Sequence, residues 1–390
     1  MFAQCTATIG RMDIEAPTAL LAGLTPRAFM RRFWQREPLL VRAAWPGVQP
    51  PIGRTALFAL VADDGVESRL VTRFDDCWRL DRGPFARRAL PPLARPGWTL
   101  LVQGLDLHLD AAHAMLRPFR FVGDARLDDL MISYASDGGG VGPHCDAYDV
   151  FLIQVHGRRR WRVGRVADPT LVEGLPVKIL RGFEPEFDWV LEPGDMLYLP
   201  PLWGHDGVAV GECMTCSVGF RTPRPTDMAR ELLGQIADDL EGDADESPIR
   251  DRPAQAHVAA AHVPRTLRDA AAKALQAALA APGAIDRAVG QWLTEPKAAV
   301  WFDRDRALSE RRVAIALDRR TRMMYDARHV YVNGEAFRVA GRDARLLRRL
   351  ADERALSAAA AGGFGEEAWA QLSAWAEAGW LHETADRGRR

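Results

Sequence analysis

Between residues 98 and 222 the chain offers almost nothing but short strand segments, and that run limits the fold more than any other feature. WTLLVQGL, DDLMISYAS, DVFLIQVHG, RRRWRVG, DWVLEPGDMLYLPP, GVAV and CMTCSVGFR follow one another, parted by Gly, Pro and Asp turns, with helical signal only at 110–118. Short strands at this spacing bury a face mainly against one another, so they predict a sandwich or jelly roll. Two helix–strand pairs precede them. One is a helix begun at Thr25-Pro26 followed by a strand at PLLVRA, and the other lies over about 55–75.

After the Pro-rich RTPRPT at 221–226 the pattern becomes helical. Residues 227–242 carry a helical period in Leu232, Leu233, Ile236 and Leu240; an acidic loop, GDADESPIRDRP, then leads to Ala-rich helices at 264–281 and 284–294. Such amphipathic helices need a partner to bury their apolar stripe, and self-association supplies one. From 298 to 385 short strands mix with helices. Asn333-Gly334 lies between alternating segments, a strong hairpin signal. RDARLLRRLADE and EEAWAQLSAWAEAGWLHE predict helices, the second ending near Gly379, and the module as a whole is winged-helix-like. The tail ADRGRR is expected to be disordered. The expected division is therefore 1–222, 223–297 and 298–385.

With 51 Lys+Arg against 52 Asp+Glu, the chain has no whole-protein field for nucleic acid or an anionic membrane. Arg11, Asp13 and Glu15 stand where a signal peptide needs an apolar run, and no window of 18 apolar residues exists. A cytoplasmic protein without a transmembrane helix is expected. The five cysteines are scattered and odd in number, which predicts reduced thiols. Cys213 and Cys216 form a CxxC, but on a strand residues three apart point to opposite faces, so a thioredoxin-like role is not expected.

The chemistry concentrates in DGGGVGPHCDAYDVFLIQVHGRRRWRVG, 137–164. On an extended segment His144 and Asp146 project from one face. His205 follows in EPGDMLYLPPLWGHDG, 61 residues after His144, just past another strand. Two histidines and a carboxylate form a facial triad that leaves coordination positions open and suits iron(II); zinc or manganese could take the same donors. VFLIQVHG and RRRWRVG are expected as two arms of a hairpin turning near His156-Gly157. On the second arm Arg159 shares a face with Trp161 and Val163, the expected barrel interior, where a guanidinium is costly unless it meets an anion. The distal carboxylate of 2-oxoglutarate would satisfy it, and so would an internal acidic residue. By the same parity Thr215 and Ser217 face a bound cofactor, with backbone hydrogen bonding as the alternative. Asp137, Tyr148 and Asp149 are candidate substrate contacts near the mouth, although Asp149 could equally cap a turn.

These motifs, together with LTPRAFMRRFWQREPLLVRAAWP, WTLLVQGLDLH and SVGFR, make the chain resemble the bacterial JmjC/cupin ribosomal oxygenases. The resemblance is strong over 20–222 and extends in order and size to the rest. It implies a double-stranded β-helix, a helical dimerisation domain and a C-terminal winged-helix-like domain. It also implies a 2-oxoglutarate-dependent dioxygenase that uses iron(II) and O2 to hydroxylate an arginine at C3 in a large-subunit ribosomal protein. By motif, His144, Asp146 and His205 would be the metal ligands and Arg159 the contact to the 2-oxoglutarate C5 carboxylate. Cys145 between the ligands and Thr215, where relatives would carry Asn, depart from the family pattern. The competing readings are a metal-dependent cupin acting on a small molecule and a non-catalytic protein-binding cupin. Nucleic-acid contact is not expected beyond ribosome-associated contacts.

Overall fold

The computed structural model describes residues 13–75, 77–240, 249, 261–304, 307–309 and 313–385. Arg11, Cys5, most of the acidic loop and the tail beyond 385 lie outside the described residues. The chain divides into two compact units, Met1–Thr222 and Pro223–Arg390.

The first unit is built on one antiparallel sheet: β1 (Leu39–Val41), β2 (Ser68–Phe74), β3 (Cys77–Arg82), β4 (Trp98–Val102), β5 (Leu127–Ala135), β6 (His144–Cys145), β7 (Val150–Arg165), β8 (Phe187–Leu191), β9 (Met196–Leu199) and β10 (Trp203–Phe220). Its order is β1-β9-β7-β10-β5-β4-β2-β3, with β6 added to β10 and β8 to β7. This is the expected double-stranded β-helix. Helix α1 (Pro26–Arg32) begins where Thr25 caps it, its hydroxyl accepting from Ala28 N at 3.1 Å, with Pro26 at the first helical position. α2 (Arg54–Leu60), α3 (Leu105–His108) and α4 (Asp110–Leu116) complete the unit's α-helices.

One expectation is overturned. VFLIQVHG and RRRWRVG are not hairpin arms; together they are the single 16-residue strand β7. GVAV and CMTCSVGFR likewise belong to one 18-residue strand, β10, which runs antiparallel to β7 almost end to end. Gly157 does take a left-handed conformation, φ 61°, but the chain bends there without reversing, and the ladder resumes beyond a register shift. The outer neighbours explain why: β9 pairs with the first half of β7 and β8 with the second, so neither half is free to fold back on the other.

The sheet separates two environments. Phe151, Ile153, Tyr198, Met214, Cys216, Val218 and Phe220 join the main hydrophobic core with Phe29 and Phe33. Phe29 lies edge-on to Tyr198 at 5.0 Å, and Trp34 meets Phe220 at 5.2 Å. The opposite face carries Val150, Leu152, Trp161, Val163, Leu197 and Trp203, together with a set of polar groups described below. Cys213 packs with Ala135 and Ala209 while Cys216 joins the main core, so the two cysteines do face apart.

The second unit opens with α5 (Pro225–Leu240), α6 (Arg265–Ala280) and α7 (Ala284–Thr294). It continues with β11 (Ala314–Leu317), β12 (Met323–Tyr325), β13 (His329–Val332), β14 (Glu335–Arg338), α8 (Gly341–Glu353), β15 (Ala355–Leu356), α9 (Ala358–Ala361), α10 (Glu366–Glu377) and β16 (Leu381–Thr384). Two three-stranded sheets, β15-β11-β16 and β12-β13-β14, share a core of Ile315, Val330, Val332, Leu347, Leu350, Leu372, Trp375 and Leu381. The Asn333-Gly334 turn is present, with both residues at positive φ and Val332 opposite Glu335. Helix α6 buries none of its residues.

Candidate metal centre

Three side chains from separate parts of the first unit converge. β6 pairs with β10 so that His144 stands directly opposite His205, and Asp146 follows two residues after His144. One ligand atom from each of the three lies within 4.8 Å of the others. Asp146 Oδ2 is 3.9 Å from His144 Nε2 and 3.6 Å from His205 Nε2. Among the described residues this is the one cluster of His, Cys, Asp and Glu able to hold a metal ion.

The histidines are oriented before any ligand arrives. His144 Nδ1 is 2.9 Å from Gly142 O, and His205 Nδ1 is 3.0 Å from Trp203 O. A carbonyl can only accept, so each Nδ1 carries the proton and each Nε2 turns its lone pair to the common centre. Burial and the neighbouring His144 lower the pKa of His205, with Asp146 opposing, so that its imidazole is neutral and free to ligate. Gly207 makes room for this arrangement: a Cβ there would lie 2.6 Å from the Trp161 ring, which stands 5.9 Å from His205. Two imidazoles and one carboxylate are donors that iron(II) accepts, with positions left for further ligands.

Arg159 lies on the same inward face. β10 sets Val163 opposite His205, Trp161 opposite Gly207 and Arg159 opposite Ala209. Arg159 is therefore four residues along the strand from the triad's level, about 13 Å at strand rise. Its side chain is only 5% exposed, Nη1 donates to Ser133 Oγ at 3.1 Å, and Nε and Nη2 are buried without partners. The internal ion pair weighed from the sequence is absent among the described residues. A buried cation left this way costs several kcal/mol by about the usual reckoning. The other arginines of the motif lie outside, where Arg160 pairs with Asp188 at 2.5 Å and Arg162 with Asp206.

The remaining expectations divide. Thr215 and Ser217 are buried and inward-facing, paired with Ser133 and Met131 of β5. The Thr215 hydroxyl, however, donates to Gln154 Oε1 at 2.9 Å, so it is committed to a protein group. Asp149 does not reach the mouth. It is fully buried on the aromatic face, where Tyr198 donates to Oδ1 at 2.6 Å and Gln35 to Oδ2 at 3.1 Å. The parity of β7 explains the error, because Asp149 precedes inward Val150 by one residue and points the other way. Asp137 is exposed and spends Oδ1 on Gly211 N at 2.8 Å. Tyr148 stays near the triad; although the residue is 42% exposed, desolvation at its hydroxyl end and the carboxylates of Asp146 and Asp129 raise its phenol pKa, against an opposing effect of Arg69. Asp129 escaped sequence reasoning. It lies on the inward face of β5, is buried, and accepts from Gln103 Nε2 at 2.5 Å and Gly104 N at 3.1 Å. Alternation along DDLMISYA could have found it, once Ser133 was known to face in.

Residues 114–228 match the JmjC domain family, and residues 274–382 match the ROXA-like winged helix. The chain is 42% identical over 217 residues to the ribosomal protein uL16 3-hydroxylase of Escherichia coli, covering 54% of this chain and 55% of that protein. It is 37% identical over 205 residues to a probable ribosomal oxygenase of Haemophilus influenzae, covering 51% of this chain and 50% of that protein. The chain thus spans about half the length of the curated relatives it matches. A solved structure of the Escherichia coli ribosomal oxygenase YcfD in complex with cobalt and 2-oxoglutarate superposes with a TM-score of 0.78 at 30% identity, covering 93% of this chain and 99% of that one. Since that relative is 30% identical and is matched over 99% of its length, this chain belongs to the JmjC-type ribosomal oxygenases.

Proposed function

We propose that the chain is an iron(II)- and 2-oxoglutarate-dependent dioxygenase that hydroxylates an arginine side chain, at C3, of a large-subunit ribosomal protein, uL16 by analogy with the Escherichia coli relative. The observation that carries it is the Arg159 guanidinium, buried with two unsatisfied nitrogens on the face that holds His144, Asp146 and His205. A metal cupin acting on a small molecule without a dicarboxylate has no use for that group. When bound, iron(II) and 2-oxoglutarate supply oxidative decarboxylation of the keto acid and transfer of one oxygen atom to a carbon.

The protein's own part is positioning. His144, Asp146 and His205 would hold the metal, and their fixed tautomers keep it on one side of the barrel. Arg159 would clamp the far carboxylate of the keto acid in a forked pair of hydrogen bonds. Tyr148, within reach of the Asp146 carboxylate, offers a cationic substrate side chain an aromatic wall. The apolar lining, with Trp161, Val163 and Leu197, keeps bulk water out.

In the second unit, Leu267, Leu275 and Leu279 of α6 and Leu233 and Leu240 of α5 are exposed, a stripe that a second copy of the chain would cover. We read the helical segment 223–297 as the dimerisation domain of a homodimer and 298–385 as the winged-helix-like domain, on a protein working in the cytoplasm with ribosomes. No described helix is long and apolar enough to cross a membrane. The test is mass spectrometry of ribosomal proteins from cells with and without the gene. One added oxygen on an arginine of uL16, restored by the wild type and not by His144→Ala, is the expected result. Its absence in cells that express the wild-type protein sinks the assignment.

A further inference from the structure

Strand β7 changes parity partway along, and its partner does not. In β10 the inward residues are odd throughout: His205, Gly207 and Ala209, then Thr215 and Ser217. Opposite them β7 presents Val163, Trp161 and Arg159, then Gln154 and Leu152: the ladder shifts register twice here, and at the second shift β7 takes two steps, from His156 to Gln154, against one step of β10, from Met214 to Thr215. Had alternation continued from Gln154, the inward set would be His156, Arg158, Arg160 and Arg162. The bulge decides which arginine of RRRWR enters the barrel.

What holds the bulge is visible. Gly157 sits at φ 61°, and a Cβ there would lie 2.1 Å from Glu212 O. The carbonyls of His156 and Gly157 both accept from Gln154 Nε2, at 2.8 and 3.3 Å. Gln154 is fully buried, and its Oε1 takes the Thr215 hydroxyl at 2.9 Å. The two carbonyls fix the amide's sense, since a flipped amide would set Oε1 against both, and the Thr215 hydroxyl then donates to the Oε1 so presented. Ser133, which receives Arg159 Nη1, in turn donates to Thr215 O at 3.4 Å. Carbonyls at a register shift need a donor, and here one side chain serves both.

We propose that Gln154 is the positioning residue for Arg159: it pins the bulge that turns this arginine inward, and the Thr215 hydroxyl braces the Gln154 amide at Oε1. Thr215 thus acts on 2-oxoglutarate at one remove and not by contact. The inference rests on the reading of Arg159 as the carboxylate anchor.

The test is equilibrium titration of 2-oxoglutarate into the full-length, Mn(II)-loaded protein, beside Mn(II) affinity and the thermal midpoint. Gln154→Leu should weaken 2-oxoglutarate binding by about tenfold or more, and Thr215→Val by a smaller factor that Thr215→Ser restores, with Mn(II) affinity within about twofold of wild type. In an Arg159→Ala background the Gln154→Leu effect should vanish, which a general packing defect would not do. Folded variants that bind 2-oxoglutarate like wild type overturn the proposal, as does a parallel loss of Mn(II). If Gln154→Leu does not fold, Thr215→Val against Thr215→Ser decides alone. Unchanged binding in Arg159→Ala itself means that the anchor reading has failed; weakened binding there with Gln154 and Thr215 variants unaffected means that only this inference has.

Discussion

The two faces of the β7–β10 ladder differ in what they leave unfinished. Toward α1 every large side chain has a neighbour: Phe151 is fully buried against Phe29, Phe119, Tyr198 and Phe220, and even Asp149 has both oxygens satisfied. Toward the triad, Arg159 and the Trp161 indole keep buried donors without acceptors. Along this ladder the first face is filled by its own side chains, while the second leaves a buried guanidinium unpaired. Stability and binding should therefore respond in opposite ways to substitutions on the two sides.

Asp146→Ala is expected to have the largest effect, abolishing turnover and metal binding while the thermal midpoint of the apo-protein changes little. A triad variant that still binds Mn(II) like wild type would falsify the metal assignment. Next, Phe151→Ala on the aromatic face should cost about 3–5 kcal/mol of stability, read by denaturant unfolding, with 2-oxoglutarate affinity kept in the folded fraction. Arg159→Ala should do the reverse: an increase of about 30-fold in the dissociation constant for 2-oxoglutarate, and an apo-protein no less stable, because an unpaired buried charge has gone. A large drop in its thermal midpoint would erase the contrast between the faces.

Smaller effects sharpen the same comparison. Burial raises the pKa of Asp149, although Tyr198 and Gln35 pull it down, so the folded state holds this proton more tightly than the unfolded chain. Stability from this group is full below the unfolded value, about 3.9, and falls as pH rises through the folded one. Asp149→Asn, with the Gln35 amide turned over, should flatten that decline; an unchanged slope in pH-dependent unfolding means that the carboxyl is not the source. Least of all, Arg160→Ala breaks an exposed pair with Asp188 and should shift stability by less than about 1 kcal/mol, leaving ligand binding untouched.

Much of this was legible in the chain. The strand run, the Thr25-Pro26 helix start, the Asn333-Gly334 turn and the alternation of Arg159, Trp161 and Val163 are local patterns set by backbone geometry, and they read directly. The hairpin at His156-Gly157 did not, because a glycine at positive φ serves a reversal and a bulge equally well, and only the flanking strands β8 and β9 choose between them. Asp149 was misplaced and Asp129 overlooked for a related reason. A strand's period tells which residues share a face but not which face is the interior.

The order and spacing of residues alone determined the donor set, the identity of the inward arginine's neighbours and the sequence of modules, since these depend on composition and on interactions a few residues long. Which way each strand faces, that Gln154 braces the bulge and that Arg159 is left without a counter-charge were decided by the tertiary structure. Those facts arise from residues such as Gln154 and Thr215, brought together from 61 positions apart by a sheet that has to close.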